Sequence, residues 1–198
     1  VSSDHYLVSA VPLGFDLDES GEWVQNPIRM SANSMTGHYQ LMQLPISTMQ
    51  NLDRAMKGAN IGVEKMVIST LATSEACLLK DEKEYGVCLI DIGAGTTNVA
   101  MYIEGRLALT HTLQRGGEHV TRDIAAVLQT TTEEAERIKL LYGCVDQKVV
   151  KPDHMIQIQG IDGPQTISRI ELTDIIIARY EEIFGQIRQE LEKTGALQ

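Results

Sequence analysis

The sequence is poor in cysteine and in basic residues, and each shortage excludes a class of protein. Its three cysteines in 198 residues lack tight spacing, which matches neither a disulfide framework nor a zinc-binding pattern. Such sparse cysteine is typical of a reducing cytosol. The net charge is −10, from 17 basic against 27 acidic residues. Because binding to nucleic-acid phosphates needs clustered Lys and Arg, we predict no nucleic-acid partner.

Long apolar runs are also missing. The longest, residues 175–178, is far too short to span a bilayer, and no secretory signal peptide is visible. The chain starts at Val1 and enters a strand-like run almost at once, so we expect it to begin partway through a longer protein. No Gly-Lys-Ser or Gly-Lys-Thr follows the glycine-rich segment described next, which excludes a P-loop.

The most informative motif is a glycine-rich turn within residues 87–105. Four apolar residues predict a short buried strand that ends at Asp91, and an alternating strand follows at 98–103. Glycine has no Cβ, so backbone N–H groups near Gly93 and Gly95 can approach a phosphate closely. The motif therefore predicts a hairpin whose turn binds phosphate.

Two threonines and one carboxylate complete this motif. Thr96 and Thr97 add hydroxyl donors, and Asp91 is placed to orient a Mg²⁺ ion that keeps several of its waters. A plain strand–turn–strand with small turn residues is the alternative interpretation. The apolar strand before the turn and the alternating strand after it favour the phosphate-binding interpretation.

Hydrophobic periodicity predicts alternating strands and helices elsewhere in the chain. Further strands are expected at residues 5–15, 34–44, 61–69, 106–113, 155–159 and 165–168. Helices are expected at residues 48–58, 73–80, 118–128, from the threonines at 130–132 to 142, and at 171–193. Ser47 is expected to cap the first helix. Residues expected in the core are Met49, Leu52, Ala55, Met56, Cys77, Cys88, Leu172, Ile175, Ile176, Ile183, Ile187 and Leu191.

The hairpin resembles the second phosphate loop of the actin, sugar kinase and Hsp70 superfamily. Four segments then resemble, in order, the bacterial cell-division family FtsA. They are the Arg-Gly-Gly segment at 115–125, the Glu-Ala-Glu-Arg segment at 134–143, the Gly-Ile-Asp-Gly turn at 160–163 and the Ala-Arg-Tyr segment at 178–183. Agreement covers most of the chain after residue 61, and the first fifty residues match the family's small inserted domain more weakly. PilM-type pilus proteins are the nearest alternative.

This resemblance implies an α/β fold of the actin/Hsp70 type, which is ribonuclease H-like, with mixed sheets, flanking helices and a small inserted α+β domain. It implies four regions, which are the C-terminal part of the inserted domain (1–45), the end of the first lobe (46–85), the start of the second lobe with the phosphate hairpin (86–129), and a subdomain of the second lobe (130–198). Because two lobes share the ATP site of this family, we expect this chain alone to bind ATP weakly or not at all.

The resemblance also implies ATP and Mg²⁺ as cofactors of the full-length protein, held in part by Asp91 and the turn. Gly116 and Gly117 are expected to let the backbone pass close to the nucleotide, with an ordinary turn as the alternative. Glu136 and Lys139 are expected at the ribose and adenine side of the nucleotide, as a similar helix provides in Hsp70. A solvated helical ion pair is the alternative interpretation for these two residues.

Three departures from family patterns bear on catalysis. Ala94 replaces a common Gly, and Asn98 stands where an Asp often stands, which removes one negative charge near Mg²⁺. Thr70 stands where relatives place a Glu or Gln that positions the attacking water, and a hydroxyl is a poor general base. We therefore expect at most slow ATP hydrolysis, with the nucleotide acting as a conformational switch. A kinase or an Hsp70-type ATPase of the same fold is the alternative function.

The implied function is that of an adaptor. It would link filaments of the tubulin-like protein FtsZ to the cytoplasmic face of the bacterial inner membrane at the septum, recruit other divisome proteins and self-associate into actin-like filaments. Membrane attachment would use a C-terminal helix that is not part of this sequence. The C-terminal tail of FtsZ is expected on the last helix, at Arg179 and Glu182, because an Arg can pair bidentately with a carboxylate. An ordinary Arg paired with Glu182 or Asp174 is the alternative.

Overall fold

The computed structural model describes residues 4–19, 21 and 23–193, and the predicted region limits at residues 1 and 198 lie outside them. These residues form two compact units. The first unit comprises residues up to 89 together with 100–110, and the second comprises 90–99 together with the residues from 111 onward. No helix among the described residues combines the length and the apolar character that crossing a bilayer requires.

The first unit begins with a three-stranded antiparallel sheet of order β2-β1-β3. Its strands are β1 (His5–Leu17), β2 (Trp23–Val24) and β3 (Met35–Pro45). The register of β1 and β3 places Tyr6 opposite Leu44 and Leu17 opposite Met35, with two irregularities between them. The strands predicted at 5–15 and 34–44 are thus confirmed.

Three helices follow in the first unit, namely α1 (Ile46–Gly58), α2 (Ser69–Cys77) and α3 (Lys80–Tyr85). The predicted cap at Ser47 is wrong, because α1 begins directly after β3 with extended Pro45 at its N-cap position. The amide of Ile46 donates instead to the carbonyl of Asp4, at 3.0 Å. The predicted burial of the apolar face of α1 is also wrong, since none of its residues is buried and Leu52 is exposed.

The strand predicted at 61–69 is wrong. Residues 61–68 are irregular, with Ile61, Val63 and Val67 exposed, and residue 69 begins α2. A strand needs a hydrogen-bonded neighbour, and the described residues supply none to this segment. The single helix expected at 73–80 is two short helices, and Cys77, the last residue of α2, is exposed instead of buried. Cys88 is half-buried, and burial raises the pKa of its thiol.

A second three-stranded sheet, of order β4-β5-β6, contributes residues to both units. Its strands are β4 (Val87–Ile92), β5 (Thr97–Ile103) and β6 (Arg106–Leu113), as predicted. The two residues between β5 and β6, Glu104 and Gly105, both have positive φ, at 50° and 73°. Ala100, Tyr102 and Leu107 are buried in one cluster with Met42.

The second unit packs three helices around a two-stranded antiparallel sheet. Its elements are α4 (Gly117–Val127), α5 (Thr132–Tyr142), a short 3-10 helix (Gln147–Val149), β7 (Met155–Gly160), β8 (Gly163–Ser168) and α6 (Arg169–Glu192). Thr131 and Ser168 cap α5 and α6 by accepting from backbone amides. The apolar stripe predicted on α6 is buried, except Ile175, which is half-buried against the same core.

Candidate functional site

The turn between β4 and β5 is held by hydrogen bonds at both ends. The amide of Gly93 donates to the carbonyl of Thr96 at 2.9 Å, and a Cβ at position 93 would lie 3.3 Å from that oxygen. The fully buried Thr97 donates from its hydroxyl to the carbonyl of Arg115 at 2.8 Å. Thr97 therefore anchors the turn, and a direct contact between its hydroxyl and a ligand stays a prediction.

Gly95 is different, because the protein itself does not require a glycine there. A Cβ at this position would meet no atom within 4 Å, and Gly95 is not among the residues with positive φ. Residues 93–95 are exposed. The space beside Gly95 is therefore open on the outside of the turn, where a ligand would approach.

The start of α4 fixes how the turn is oriented. The amides of Gly117 and Glu118 donate to the carbonyls of Gly93 and Ala94, at 2.9 and 2.8 Å. A Cβ at Gly116 would lie 2.5 Å from the carbonyl oxygen of Gly93, so only glycine fits at 116. The predicted close approach of the backbone at 116–117 is thus made to the turn itself.

This orientation exposes the turn's amides. In a trans peptide the C=O and the N–H of one plane point in opposite directions. Because the carbonyls of Gly93 and Ala94 face α4, the amides of Ala94 and Gly95 point away from it. Across the described residues, the amides of Ala94, Gly95 and Thr96 donate to no backbone or side-chain oxygen. Neighbouring amides without an acceptor on an exposed turn are suited to binding an anion.

A cleft of about 630 Å³ opens beside the turn, between α4 and α5. Its lining includes Ala94 of the turn, Gly117 and Thr121 on α4, and Glu136 and Lys139 on α5. Four more charged or polar residues complete it, namely Glu118, Arg122, Thr132 and Glu133. Of the predicted site residues, Gly117, Glu136 and Lys139 thus line one cleft, to which the turn contributes Ala94.

The ammonium group of Lys139 is fully used inside the protein. Its Nζ lies 2.6 Å from Oε2 of Glu136, 2.8 Å from the hydroxyl of Thr121 and 3.2 Å from the carbonyl of Gly117. An ammonium group has three protons, and these three acceptors use them all. The hydrogen bond from Lys139, followed by that from Thr121, lowers the pKa of Glu136. The glutamate therefore stays ionised, and its side chain is 44% exposed to the cleft.

On the other side of α4, Arg179 of α6 pairs with Asp123. Its Nε and Nη2 lie 2.5 and 2.7 Å from the two carboxylate oxygens of Asp123, and it also contacts Glu182. The pair raises the pKa of Arg179, and the side chains are only 20% and 29% exposed. Pairing with Glu182 was one of the alternatives predicted for Arg179, but its contact with Asp123, which lies 56 residues away, was not predicted. Contact of Arg179 with a partner stays a prediction.

Two further predicted residues lie in different units. Asp91 is half-buried in β4 within the second unit, and Thr70 is buried at the start of α2 within the first unit. Within residues 4–19, 21 and 23–193, no three His, Cys, Asp or Glu side chains are grouped so as to hold a metal ion. A Mg²⁺ ion that keeps most of its waters needs few protein ligands, so the role of Asp91 stays a prediction.

Thr121 was not among the predicted site residues. Its hydroxyl lies between Glu136 and Lys139, and its side chain is buried on α4. A threonine in the middle of a predicted helix carries no signal of this role, because the two partners lie on the next helix of the chain.

Comparisons with known proteins assign the chain to a family. The profile of the family described as cell division protein FtsA matches residues 88–196. The chain is 34% identical over 198 residues to FtsA of Agrobacterium fabrum, covering 97% of this chain and 44% of that protein. It is 30% identical over 197 residues to FtsA of Pseudomonas aeruginosa, covering 98% and 47%. The chain thus spans less than half the length of these relatives.

Solved structures with low sequence identity confirm the predicted actin-like fold class. The chain matches a structure of the PilM–PilN type IV pilus biogenesis complex with a TM-score of 0.66 and 16% identity, over 97% of this chain and 46% of that chain. It matches MreB5 of Spiroplasma citri bound to ADP with a TM-score of 0.56 and 16% identity, over 93% and 70%. These likenesses concern the fold alone. The family profile and the curated relatives show more: this chain belongs to the FtsA family of actin-like cell-division proteins.

Proposed function

We propose that this chain forms part of an ATP-binding adaptor that attaches FtsZ filaments to the cytoplasmic membrane at the division septum and recruits other divisome proteins. The observation that carries the proposal is the turn at 93–96, where three amides without a described acceptor surround a glycine that the fold does not require. Phosphate groups are the ligands that such amides bind. The ADP-bound MreB5 structure, which shares the fold, supports a nucleotide as the ligand.

In this proposal each residue of the cleft has one task. The amides of Ala94, Gly95 and Thr96 bind phosphate oxygens, and Glu136 accepts a hydrogen bond from a ribose hydroxyl. Lys139 holds Glu136 in place instead of reaching the nucleotide, because its three protons are already engaged. Asp91 would orient the waters of a Mg²⁺ ion, which would neutralise charge on the phosphates.

Hydrolysis is proposed to be slow, so that the bound nucleotide acts mainly as a conformational switch. Thr70, at the position expected to place the attacking water, offers only a hydroxyl, which is a poor general base. The partners proposed for α6 and for self-association are the FtsZ tail, near Arg179 and Glu182, and further copies of the protein. The edge strand β3 supports self-association, since Met35, Tyr39 and Leu41 are exposed on it.

The experiment that tests nucleotide binding uses Gly95→Val in the full-length protein. The added side chain meets no protein atom near its Cβ, so the fold should be kept, but it occupies the space where phosphate would lie. We expect calorimetric titration with Mg-ATP to show at least roughly tenfold weaker binding, the loss of about one charged hydrogen bond. Gly185→Ala on α6 is the matched control, because a Cβ there also meets nothing within 4 Å. Equal affinity of Gly95→Val and the parent protein would refute the proposed phosphate site.

A further inference from the structure

The hydroxyl of Thr121 connects α4 to the Glu–Lys pair of α5. Thr121 is 3% exposed, and its Oγ1 lies 2.5 Å from Oε2 of Glu136 and 2.8 Å from Nζ of Lys139. A hydroxyl has one proton to donate and can accept as well. Two acceptors lie within reach of this proton, the carboxylate of Glu136 at 2.5 Å and the carbonyl of Gly117 at 3.2 Å. The shorter contact with the charged acceptor is the stronger one, so Thr121 donates to Glu136 while Lys139 donates to the hydroxyl oxygen.

Both hydrogen bonds to Glu136 are made to the same carboxylate oxygen. Lys139 and Thr121 both contact Oε2, whereas Oε1 has no hydrogen bond among the described residues. A carboxylate held at one oxygen from two directions cannot rotate freely, so its second oxygen is presented to the cleft in a defined direction. A salt bridge alone does not achieve this, because a partly exposed pair of flexible side chains samples several geometries.

We propose that Thr121 is a positioning residue for the ribose of the bound nucleotide, acting through Glu136. This inference rests on the proposed nucleotide site. Thr121 does not touch the ligand. Its hydroxyl holds Glu136 so that Oε1 accepts a hydrogen bond from the ribose diol, which makes the cleft selective for ribonucleotides over deoxynucleotides. A site built to bind a hydroxyl rejects an analogue that lacks it, because its own polar group is then left unpaired.

The test compares the affinities for ATP, 2′-deoxy-ATP and 3′-deoxy-ATP in the full-length protein and in Thr121→Val, which keeps the shape but removes the hydroxyl. We expect the parent protein to prefer ATP over one deoxy analogue by roughly tenfold, the value of a hydrogen bond to a charged group. In Thr121→Val the ratio of the affinity for ATP to that for the deoxy analogue should fall towards one. Thr121→Ser, which keeps a hydroxyl, should retain the ratio of the parent protein. A second readout needs no nucleotide: the pKa of Glu136, followed by NMR, should rise in Thr121→Val because a hydrogen bond to its charged form is lost.

A matched control distinguishes a positioning role of Thr121 from a general effect of the substitution on stability. Thr173 is a fully buried threonine on α6 whose hydroxyl donates to the carbonyl of Arg169 at 2.9 Å, so Thr173→Val makes the same chemical change away from the cleft. It should leave the ATP to deoxy-ATP ratio unchanged. The ratio remains decisive even where Thr121→Val is less stable, because both affinities are measured on the same folded fraction.

The outcomes are distinguishable. A parent protein that binds no nucleotide overturns the proposed function and this inference together. A parent protein that prefers ATP, with an equal preference in Thr121→Val, overturns this inference and leaves the nucleotide site standing. Loss of the preference in both Thr121→Val and Thr173→Val also overturns it, because a general loss of packing would then explain the effect.

Discussion

Helix α4 carries polar side chains on two sides, and the two sides are built differently. Toward α5, Thr121 contacts a Lys–Glu pair in which Glu136 stays 44% exposed. Toward α6, Asp123 accepts two hydrogen bonds from Arg179, and these side chains are only 29% and 20% exposed. The first side leaves a carboxylate oxygen open to a ligand, whereas the second uses its carboxylate to hold two helices together.

The comparison shows that composition does not reveal the role of a polar cluster. Each side combines a cation with carboxylates, and each includes a residue predicted to bind a ligand or a partner. What separates them is whether a carboxylate oxygen of the pair that joins α4 to its neighbouring helix is left without a hydrogen bond. On the α5 side Oε1 of Glu136 has no hydrogen bond among the described residues, while on the α6 side both oxygens of Asp123 are occupied.

The largest effect is expected from Gly116→Ala, which disturbs the backbone contact between the start of α4 and the turn at 93–96. The new Cβ would lie 2.5 and 2.6 Å from the carbonyl oxygens of Gly93 and Ala94, and neither backbone group can move without breaking its bond to α4. We expect a loss of about 2–3 kcal/mol in unfolding free energy, measured by denaturant titration, which is typical of overpacking. Gly95→Ala is the control and should change stability by less than about 0.5 kcal/mol. Equal stabilities for the two variants would show that the start of α4 does not clamp the turn.

A smaller effect on stability is expected from Arg179→Ala, which removes the ion pair between α4 and α6. The carboxylate of Asp123 would lose both hydrogen bonds while remaining mostly covered, which should cost about 1–2 kcal/mol. Asp123→Asn should cost a similar amount, and a double-mutant cycle on unfolding free energies should show that the two losses are not additive. Additive losses would mean that the pair contributes little to stability.

Arg179→Ala and Asp123→Asn also test the proposed role of Arg179 in binding the FtsZ tail. If Arg179 pairs with a carboxylate of the peptide, Asp123→Asn frees it and should keep or strengthen peptide binding, whereas Arg179→Ala should weaken it. The measurement is fluorescence anisotropy of a labelled tail peptide with the full-length protein. If neither substitution changes the affinity, Arg179 is structural and the peptide docks elsewhere.

Much of the fold could be predicted from local pattern. Alternation identified β1, β3 and the strands around the glycine-rich turn, and helical spacing identified the buried stripe of α6 from Leu172 to Leu191. On α6 the predicted face is buried within its own unit, so pattern and burial agree there. The residues of β1 and β3 are mostly half-buried or exposed, so for these strands the pattern agrees with the element and not with a buried face. Residues 61–68 have a strand-like pattern as well, but a strand requires a neighbour that the described residues do not supply.

The candidate site could be predicted only in part. Gly93, Gly95 and Gly117 were selected because glycine lets the backbone approach a ligand, with an ordinary turn as the alternative, and Glu136 and Lys139 because they lie three residues apart on one helix. Contact of these residues with a ligand stays a prediction. Thr121 and Asp123 could not be identified, because their partners are set by how α5 and α6 pack on α4. Single-sequence patterns carry no information on contacts between Asp123 and Arg179, which are 56 residues apart.

The smallest effect is expected from pH, and it concerns the carboxylate of Glu136 on the α5 side. The hydrogen bond from Lys139 lowers the pKa of Glu136 below its ordinary value near 4.5. A carboxyl group with a lowered pKa stabilises the folded state above that ordinary value, and this stability is lost as the pH falls through the folded-state pKa. Glu136→Gln should therefore flatten the fall in unfolding free energy between about pH 5 and about pH 3, by less than about 0.5 kcal/mol because the side chain is half-exposed.

Glu134 on the same helix gives the matched comparison for this measurement. The hydrogen bond from Arg137 lowers its pKa too, but its carboxylate also accepts from the amide of Gln159 at 3.1 Å and is only 14% exposed. Glu134→Gln should thus lower stability at neutral pH more than Glu136→Gln and should remove a larger part of the acid dependence. If Glu136→Gln has the larger effect, Glu136 is a structural residue like Asp123, and the distinction between an open and a closed side of α4 does not hold.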